Sequence, residues 1–506
     1  MNAETELKFR VAPGKLSSAL GNGSSSGPRP ELSKQALVST YYDTNKQKLR
    51  RHGLSLRVRK VGDCYVQTVK AAGSGSLTRD EWEKEVAGAK PDLKKARNTP
   101  LARLATRKLP QKLKPLFQTD VHRTVQSRRI RSSKIEIALD RGRIKARRRS
   151  RPIAEVELEL KSGRVADLFR LARDLERKTG AELDLRSKSE RGYRLFSGDS
   201  GGAQRAEPIR LKHDLSPRDA FRDIAKSTLR HFSGNADPVR NMDSEGVHQM
   251  RVGLRRLRAA ISLFADVLPQ ATTARIKLEL KWLTGELAPA REIDVFLKES
   301  VRRMTADRHV PRRGAQALRS KFSGERTVAF SRAREAVASA RYRRLLIQVM
   351  EWIETGRRRT HDDRSIDAYA AKLLDRRVRK ARKEGERLTD LDTKRRHKLR
   401  IKIKKIRYAV DFFRSLYTDR DQKSLDHFSD QLKEIQSALG SLNDFIAHRQ
   451  LATNAALTAP VANRRAQAFA SGFIVGQERK AAEGLISNAS DLLHRLRRLS
   501  VEPSGG

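Results

Sequence analysis

The sequence predicts an α+β domain followed by an all-α domain. Three observations carry that reading. Short segments alternating between charged and apolar residues recur through the first 196 residues. From about residue 210 to 500 that alternation gives way to a 3.6-residue period rich in Ala, Leu, Arg and Lys. An 18-residue basic pattern occurs twice in this second half, which implies two similar helical bundles about a pseudo-twofold axis.

The predicted strands cover residues 4–11, 54–60, 64–70, 81–86, 134–139 and 154–161, each bounded by Gly, Ser, Pro or Asp. Residues 21–30 read as a mobile Gly/Ser/Pro loop. Leu168, Leu171, Ala172 and Leu175 fall at i, i+3, i+4, i+7 and predict a helix after the last strand. The stretch SGDSGGAQRAEP, from residue 197, has a linker composition. The expected division is 1–196, a linker at 197–209, and a helical domain at 210–500.

Composition narrows the partners. Among 506 residues there are 109 Lys+Arg against 60 Asp+Glu, a formal charge of +49. Such a field attracts polyanions. Aromatics make up 5%, too few for gripping single strands by base stacking. The one cysteine, Cys64, allows neither an internal disulfide nor a cysteine zinc site and fits a reducing cytosol. The opening MNAETELKFR shows no secretory signal, and no stretch reaches the roughly 18 apolar residues of a membrane span.

The charged strands carry the chemistry. Strand alternation puts Glu4, Glu6 and Lys8 on one face, with Leu7 and Phe9 on the other. Likewise Glu155, Glu157, Glu159 and Lys161 oppose Val156, Leu158 and Leu160. Arg57 and Arg59 are also two apart. One such strand would read as a solvated face. Several together imply a carboxylate cage for Mg²⁺ or Mn²⁺ beside cations that grip phosphate, lining a closed antiparallel barrel whose apolar face turns outward.

These residues, in this order, resemble the CYTH domain of the triphosphate tunnel metalloenzymes. The resemblance rests on ETELK, LRVRK, QTVK, RDEWEKE, DVHRT, ALDRG, EVELELK and SKSERGY. It implies a tunnel barrel with flanking helices. Glu4, Glu6, Glu157 and Glu159 would bind divalent metal, with Asp140 assisting. Lys8, Arg57, Arg59, Lys70, Arg123 and Lys188 would bind the triphosphate. Glu4, Glu6, Lys8, Glu157 and Glu159 form the implied catalytic set, acting by in-line attack of water on the terminal phosphoryl group. Glu155 and Lys161 would lie just outside it. The acids at 81–85 have no fixed role in the resemblance. The basic run at 145–151 departs from it and reads as a solvated loop or added anion capture.

The repeated pattern is VHQMRVGLRRLRAAISLF and RHKLRIKIKKIRYAVDFF. His248, Arg251, Arg255 and Arg258 match His397, Arg400, Lys404 and Arg407, each pair 149 positions apart. At about 100° per residue each set spans about 80° of a helix. Met250, Leu254, Leu257 and Ile261 lie opposite, as do Leu399, Ile403, Ile406 and Val410. Two matching basic faces would repel unless an anion lay between them. This half is similar to the CHAD domain, which implies a pair of four-helix bundles and polyphosphate binding by those eight residues. A further part of the likeness is GELAPAREIDVF with SALGSLNDF, although Arg291 is followed by Glu292 where Asp is usual. Asp294, Asn443 and Asp444 read as packing or capping residues at least as readily as ligands.

The expectation is thus a metal-dependent hydrolase of inorganic triphosphate, similar to the bacterial CYTH–CHAD triphosphatases, with a polyphosphate-binding partner domain. A cytoplasmic location, with association with polyphosphate granules, goes with it. Open alternatives are a non-catalytic polyphosphate binder, a nucleoside or thiamine triphosphatase, and an adenylate cyclase. A basic nucleic-acid binder is the reading from another class, and nucleic acid is not expected as a specific partner.

Overall fold

The computed structural model describes residues 5–20, 31–71, 80–106, 108–199, 201–356 and 364–496. Glu4 and the loop expected at 21–30 lie outside the described residues. The strands are β1 (Thr5–Arg10), β2 (Leu32–Asp43), β3 (Leu54–Val61), β4 (Cys64–Ala71), β5 (Glu81–Val86), β6 (Lys114–Ile130), β7 (Ser133–Ala146), β8 (Arg149–Ser162) and β9 (Glu182–Leu183). The helices are α1 (Lys48–Arg51), α2 (Leu109–Lys112), α3 (Val165–Thr179), α4 (Lys188–Phe196), α5 (Pro217–Gly234), α6 (Ala236–Arg240), α7 (Ser244–Leu263) and α8 (Gln270–Phe296). They continue as α9 (Arg302–Ala306), α10 (Arg312–Ala338), α11 (Ala340–Thr355), α12 (Ile366–Gly385), α13 (Thr393–Phe413), α14 (Gln422–Leu457) and α15 (Arg464–Arg495).

All nine strands form one antiparallel sheet in the order β5-β4-β3-β2-β6-β7-β8-β1-β9. The α+β class holds, but the expected closed barrel does not: among the described residues β5 and β9 do not pair. β9 is two residues long, and β5 alternates Glu81, Glu83 and Glu85 along its edge. Short and charged edges resist further pairing. Strands β2 and β6, absent from the expected set, carry polar runs that mask their alternation. The basic run at 145–151 is the β7–β8 hairpin turn, with Arg147 at φ 54° and its guanidinium 4.3 Å from the Phe196 ring centre.

The strands bury their apolar parity. Leu7, Phe9, Val156 and Leu158 are at most 1% exposed. A second cluster stacks Tyr41 on Phe117 at 4.5 Å, with Tyr193 of α4 edge-on at 5.0 Å. The α4 backbone comes so close here that a Cβ on Gly192 would lie 2.1 Å from the Phe117 ring.

The chain divides into two compact units. The first holds residues up to 203 together with 338–356; the second holds 204–337 and the chain from 357 onward. Helix α11, although late in sequence, belongs to the first. It pairs Arg343 with Glu176 of α3 at 3.1 Å and Glu351 with Arg173. Its periodicity is the same as that of its neighbours, so pattern alone could not assign it.

In the second unit the two copies of the basic pattern are α7 and α13, packed together. Every apolar residue expected on their inner stripes is at most 1% exposed. Phe264 and Phe413 occupy matching repeat positions and meet at 5.9 Å. This places a pseudo-twofold axis between them. Across it, buried Arg256 forms an ion pair with Asp411 and lies 5.1 Å from the Phe412 ring centre. Among the described residues no helix is long and apolar enough to cross a membrane.

Candidate functional site

Strand register builds the site of the first unit. β1 and β8 place Lys8 opposite Glu157, Glu6 opposite Glu159 and Arg10 opposite Glu155. β7 puts Asp140 opposite both Glu155 and, on its other side, Arg123 of β6. Helix α4 starts with a capping box between Ser187 and Glu190, which sets Lys188 at its first position.

Five expected residues converge here. Arg123 grips Asp140 with two bonds of 2.7 Å and also reaches Glu157. Lys188 Nζ lies 2.6 Å from Glu157, 2.7 Å from Asp140 and 2.9 Å from Glu155. Lys8 Nζ is 3.2 Å from Glu157. Burial alone would raise the Glu157 carboxyl, but Lys188, Lys8 and Arg123 hold it well below the usual range. The same contest, decided by Lys188 and Arg123, lowers Asp140.

A cationic wing lies on β3 and β4. Arg57 and Lys70 share Glu81, at 3.1 and 2.5 Å. Arg59 donates to Ser39 at 3.1 Å. Burial, then the charge of Arg57, pushes Arg59 down to about 10 and lowers Lys70. Cations crowded enough to weaken one another's charge are poised to take up an anion. Glu6 and Glu159 are half-buried, and Glu159 accepts from Lys161 at 2.7 Å.

Oxygens of Asp140, Glu155 and Glu157 lie within 4.8 Å of one another. Together with Glu6 opposite Glu159 they are hard anionic donors of the kind that suit a small divalent cation. The donor set fits such an ion, with Lys188 and Arg123 neutralising it in this structure. Glu155, expected on the periphery, is at the centre and fully buried. Two residues were missed. Arg191, one turn beyond Lys188, pairs with Glu155, and helical spacing could have found it. Tyr41 sits opposite Arg57, and the charges of Arg57, Arg59 and Lys70 outweigh burial to lower its hydroxyl. Nothing in the sequence marks it.

In the second unit, α7 and α13 bring Arg251, Arg255, Arg400, Lys404 and Arg407 into one cationic cluster. The Nε atoms of these four arginines are buried without a hydrogen-bond acceptor. Burial, then Arg400, Arg255 and Arg407, pushes Lys404 down to about 7, opposed only by Asp444 of α14. Burial, then Arg291, lowers His248. His397 is exposed. Arg258 is exposed too and acts on Lys405 rather than Lys404. Asp294 is buried and accepts from Ser244 at 2.6 Å, tying α8 to α7.

A sheet lined by paired carboxylates and cations, followed by a cationic helical pair, defines a two-domain class, and comparison with known families agrees. Residues 2–193 match the CYTH domain and residues 223–453 the CHAD domain. The chain is a CYTH domain followed by a CHAD domain. It is 33% identical over 206 residues to the inorganic triphosphatase of Haemophilus influenzae, a match taking in 39% of this chain and 56% of that relative. The CHAD domain of the plant Ricinus communis is similar at 28% identity and a TM-score of 0.50, covering 59% of this chain and 98% of that one. PptA from Streptomyces chartreusis is similar at 17% identity and a TM-score of 0.45, covering 55% of this chain and 99% of that one.

Proposed function

We propose that the first unit hydrolyses inorganic triphosphate to diphosphate and phosphate with Mg²⁺ or Mn²⁺, and that the second binds inorganic polyphosphate. The observation that carries the enzymatic reading is the convergence of Lys8, Arg123 and Lys188 on Glu157. Without ligand, each charge neutralises its neighbour. With triphosphate present the partners would exchange: Lys8, Arg123 and Lys188 would turn to phosphoryl oxygens, and the carboxylates of Glu4, Glu6, Asp140, Glu157 and Glu159 would hold the metal. When bound, the ion supplies charge neutralisation and lowers the pKa of water. Arg57, Arg59 and Lys70 would fix the phosphate chain so that its terminal group meets water in line. The match to an inorganic triphosphatase supports the substrate, and a cytoplasmic location accords with it.

Polyphosphate binding rests on the buried arginine Nε atoms left without acceptors, which phosphate oxygens would satisfy. Phosphate release from triphosphate, ATP and thiamine triphosphate, with each metal, tests the enzyme. Triphosphate should turn over fastest, and Glu157→Gln should abolish turnover. Hydrolysis of none of the three refutes the enzymatic reading, and cyclic product from ATP would replace it with a cyclase. Polyphosphate should outcompete DNA for the second unit.

A further inference from the structure

We infer that the helical unit holds a second anion subsite, beyond the paired basic helices, that takes the far end of a long phosphate chain. The inference rests on the reading that α7 and α13 bind polyphosphate. Four cations, Lys298, Arg302, Arg319 and Arg326, line a cavity of about 500 Å³ against a single acid, Asp294. The hydroxyls of Thr305 and Ser323 complete its polar wall.

The acid is already consumed. Asp294 is 2% exposed and accepts from Ser244, from Lys298 at 3.0 Å and from Arg326 at 3.0 Å. It anchors two of the cations and leaves the cavity with a positive excess. Arg302 and Arg319 are exposed, and their side chains make no ion pair among the described residues. The backbone supports the arrangement. Helix α8 does not end cleanly but passes through a π-helical turn, Leu297–Val301, into α9. Such a turn costs hydrogen-bond quality and rotates the side chains that follow, and it recurs where helices carry function. Lys298 lies within the turn and Arg302 directly after it, four positions apart and so on one face, and both line the cavity.

The subsite is continuous with the basic helices. Asp294 bonds Ser244 at the start of α7, about 6 Å of helix before His248. Arg291 lies 3.8 Å from Asp294 and also acts on His248. A phosphate chain on the α7–α13 cluster that passes His248 and Arg291 would reach Arg302 and Arg319. A triphosphate is too short to occupy both places, so the subsite would select for chain length.

The test uses the full chain and inorganic polyphosphates of two lengths, one of tens of phosphates and one of three, with binding read by calorimetry. Arg302→Gln with Arg319→Gln should weaken the long chain about tenfold, and the slope of log Kd against log salt should fall by about one to two. Triphosphate binding and triphosphate hydrolysis should not change. Arg255→Gln with Arg400→Gln should weaken the long chain as well. If that second pair loses binding while the first leaves long-chain affinity and salt slope untouched, the subsite alone is overturned. If the native chain does not bind the long chain, the polyphosphate reading of the helical unit fails and takes the subsite with it.

Discussion

Lys404 gives the sharpest test of the cationic cluster. Its amine faces Arg400 and Arg407 on its own helix, Arg255 on α7 and Asp444 on α14, and it falls to about 7 from 10.5. A phosphate chain between α7 and α13 would cancel the surrounding positive charge and return the amine to its charged form. Binding above pH 7 must therefore take up a proton. With a free-state value of about 7, Kd should rise about fivefold from pH 7 to 8 and about tenfold from 8 to 9. Long chains keep terminal, titrating phosphoryls few, and a His248→Gln background removes the neighbouring imidazole, lowered by burial and Arg291, as a second proton acceptor. Calorimetry in buffers of different ionisation enthalpy should show about half a proton taken up at pH 7. Lys404→Arg should bind with a flat pH profile. The free protein should respond in the opposite sense. Below pH 7 folded and unfolded chains both carry the proton, and the folded state bears the full cost of a charged amine among guanidiniums. Between 7 and 10.5 the folded state sheds it, so stability should rise with pH. An unchanged pH slope in Lys404→Arg would refute the reasoning.

The remaining predictions concern the first unit. Gly192→Ala would drive a methyl into the Phe117 ring, at a cost of about 1–3 kcal/mol. It should lower both Tm and triphosphate turnover, because α4 also carries Lys188 and Arg191; a normal Tm would show that the ring yields freely. A fragment of residues 1–203 lacks α11, which uncovers α3 and β9 and takes Arg343 from Glu176. Its Tm should fall below that of the unit in the full chain, because apolar surface buried against α11 returns to water. A peptide of residues 338–356 should restore its Tm, and equal stability without the peptide would rule out a structural role for α11.

Much of this molecule was legible before folding because its chemistry follows short periods. Two-residue alternation put Glu157 and Glu159 on one face, and helical spacing put Arg251 and Arg255 on another. Both patterns survive because neighbouring backbone geometry, not distant contacts, dictates them. The polar strands β2 and β6 escaped because burial on one face does not require apolar residues where charged groups find partners. Tyr41 escaped because its role comes from standing opposite Arg57, and pairing across strands leaves no local mark.

By itself the sequence determined the two-domain order, the acidic and basic strand faces and the 149-residue repeat that brings Phe264 to Phe413. Tertiary structure alone decided three things. It placed Glu155 at the centre of the acid cluster, returned α11 to the first unit, and assembled cations from α8 to α10 around Asp294. Each depends on residues far apart in the chain meeting in space. The balance of burial against charge at such a meeting is set by all the partners at once, and none of their own neighbours in sequence records it.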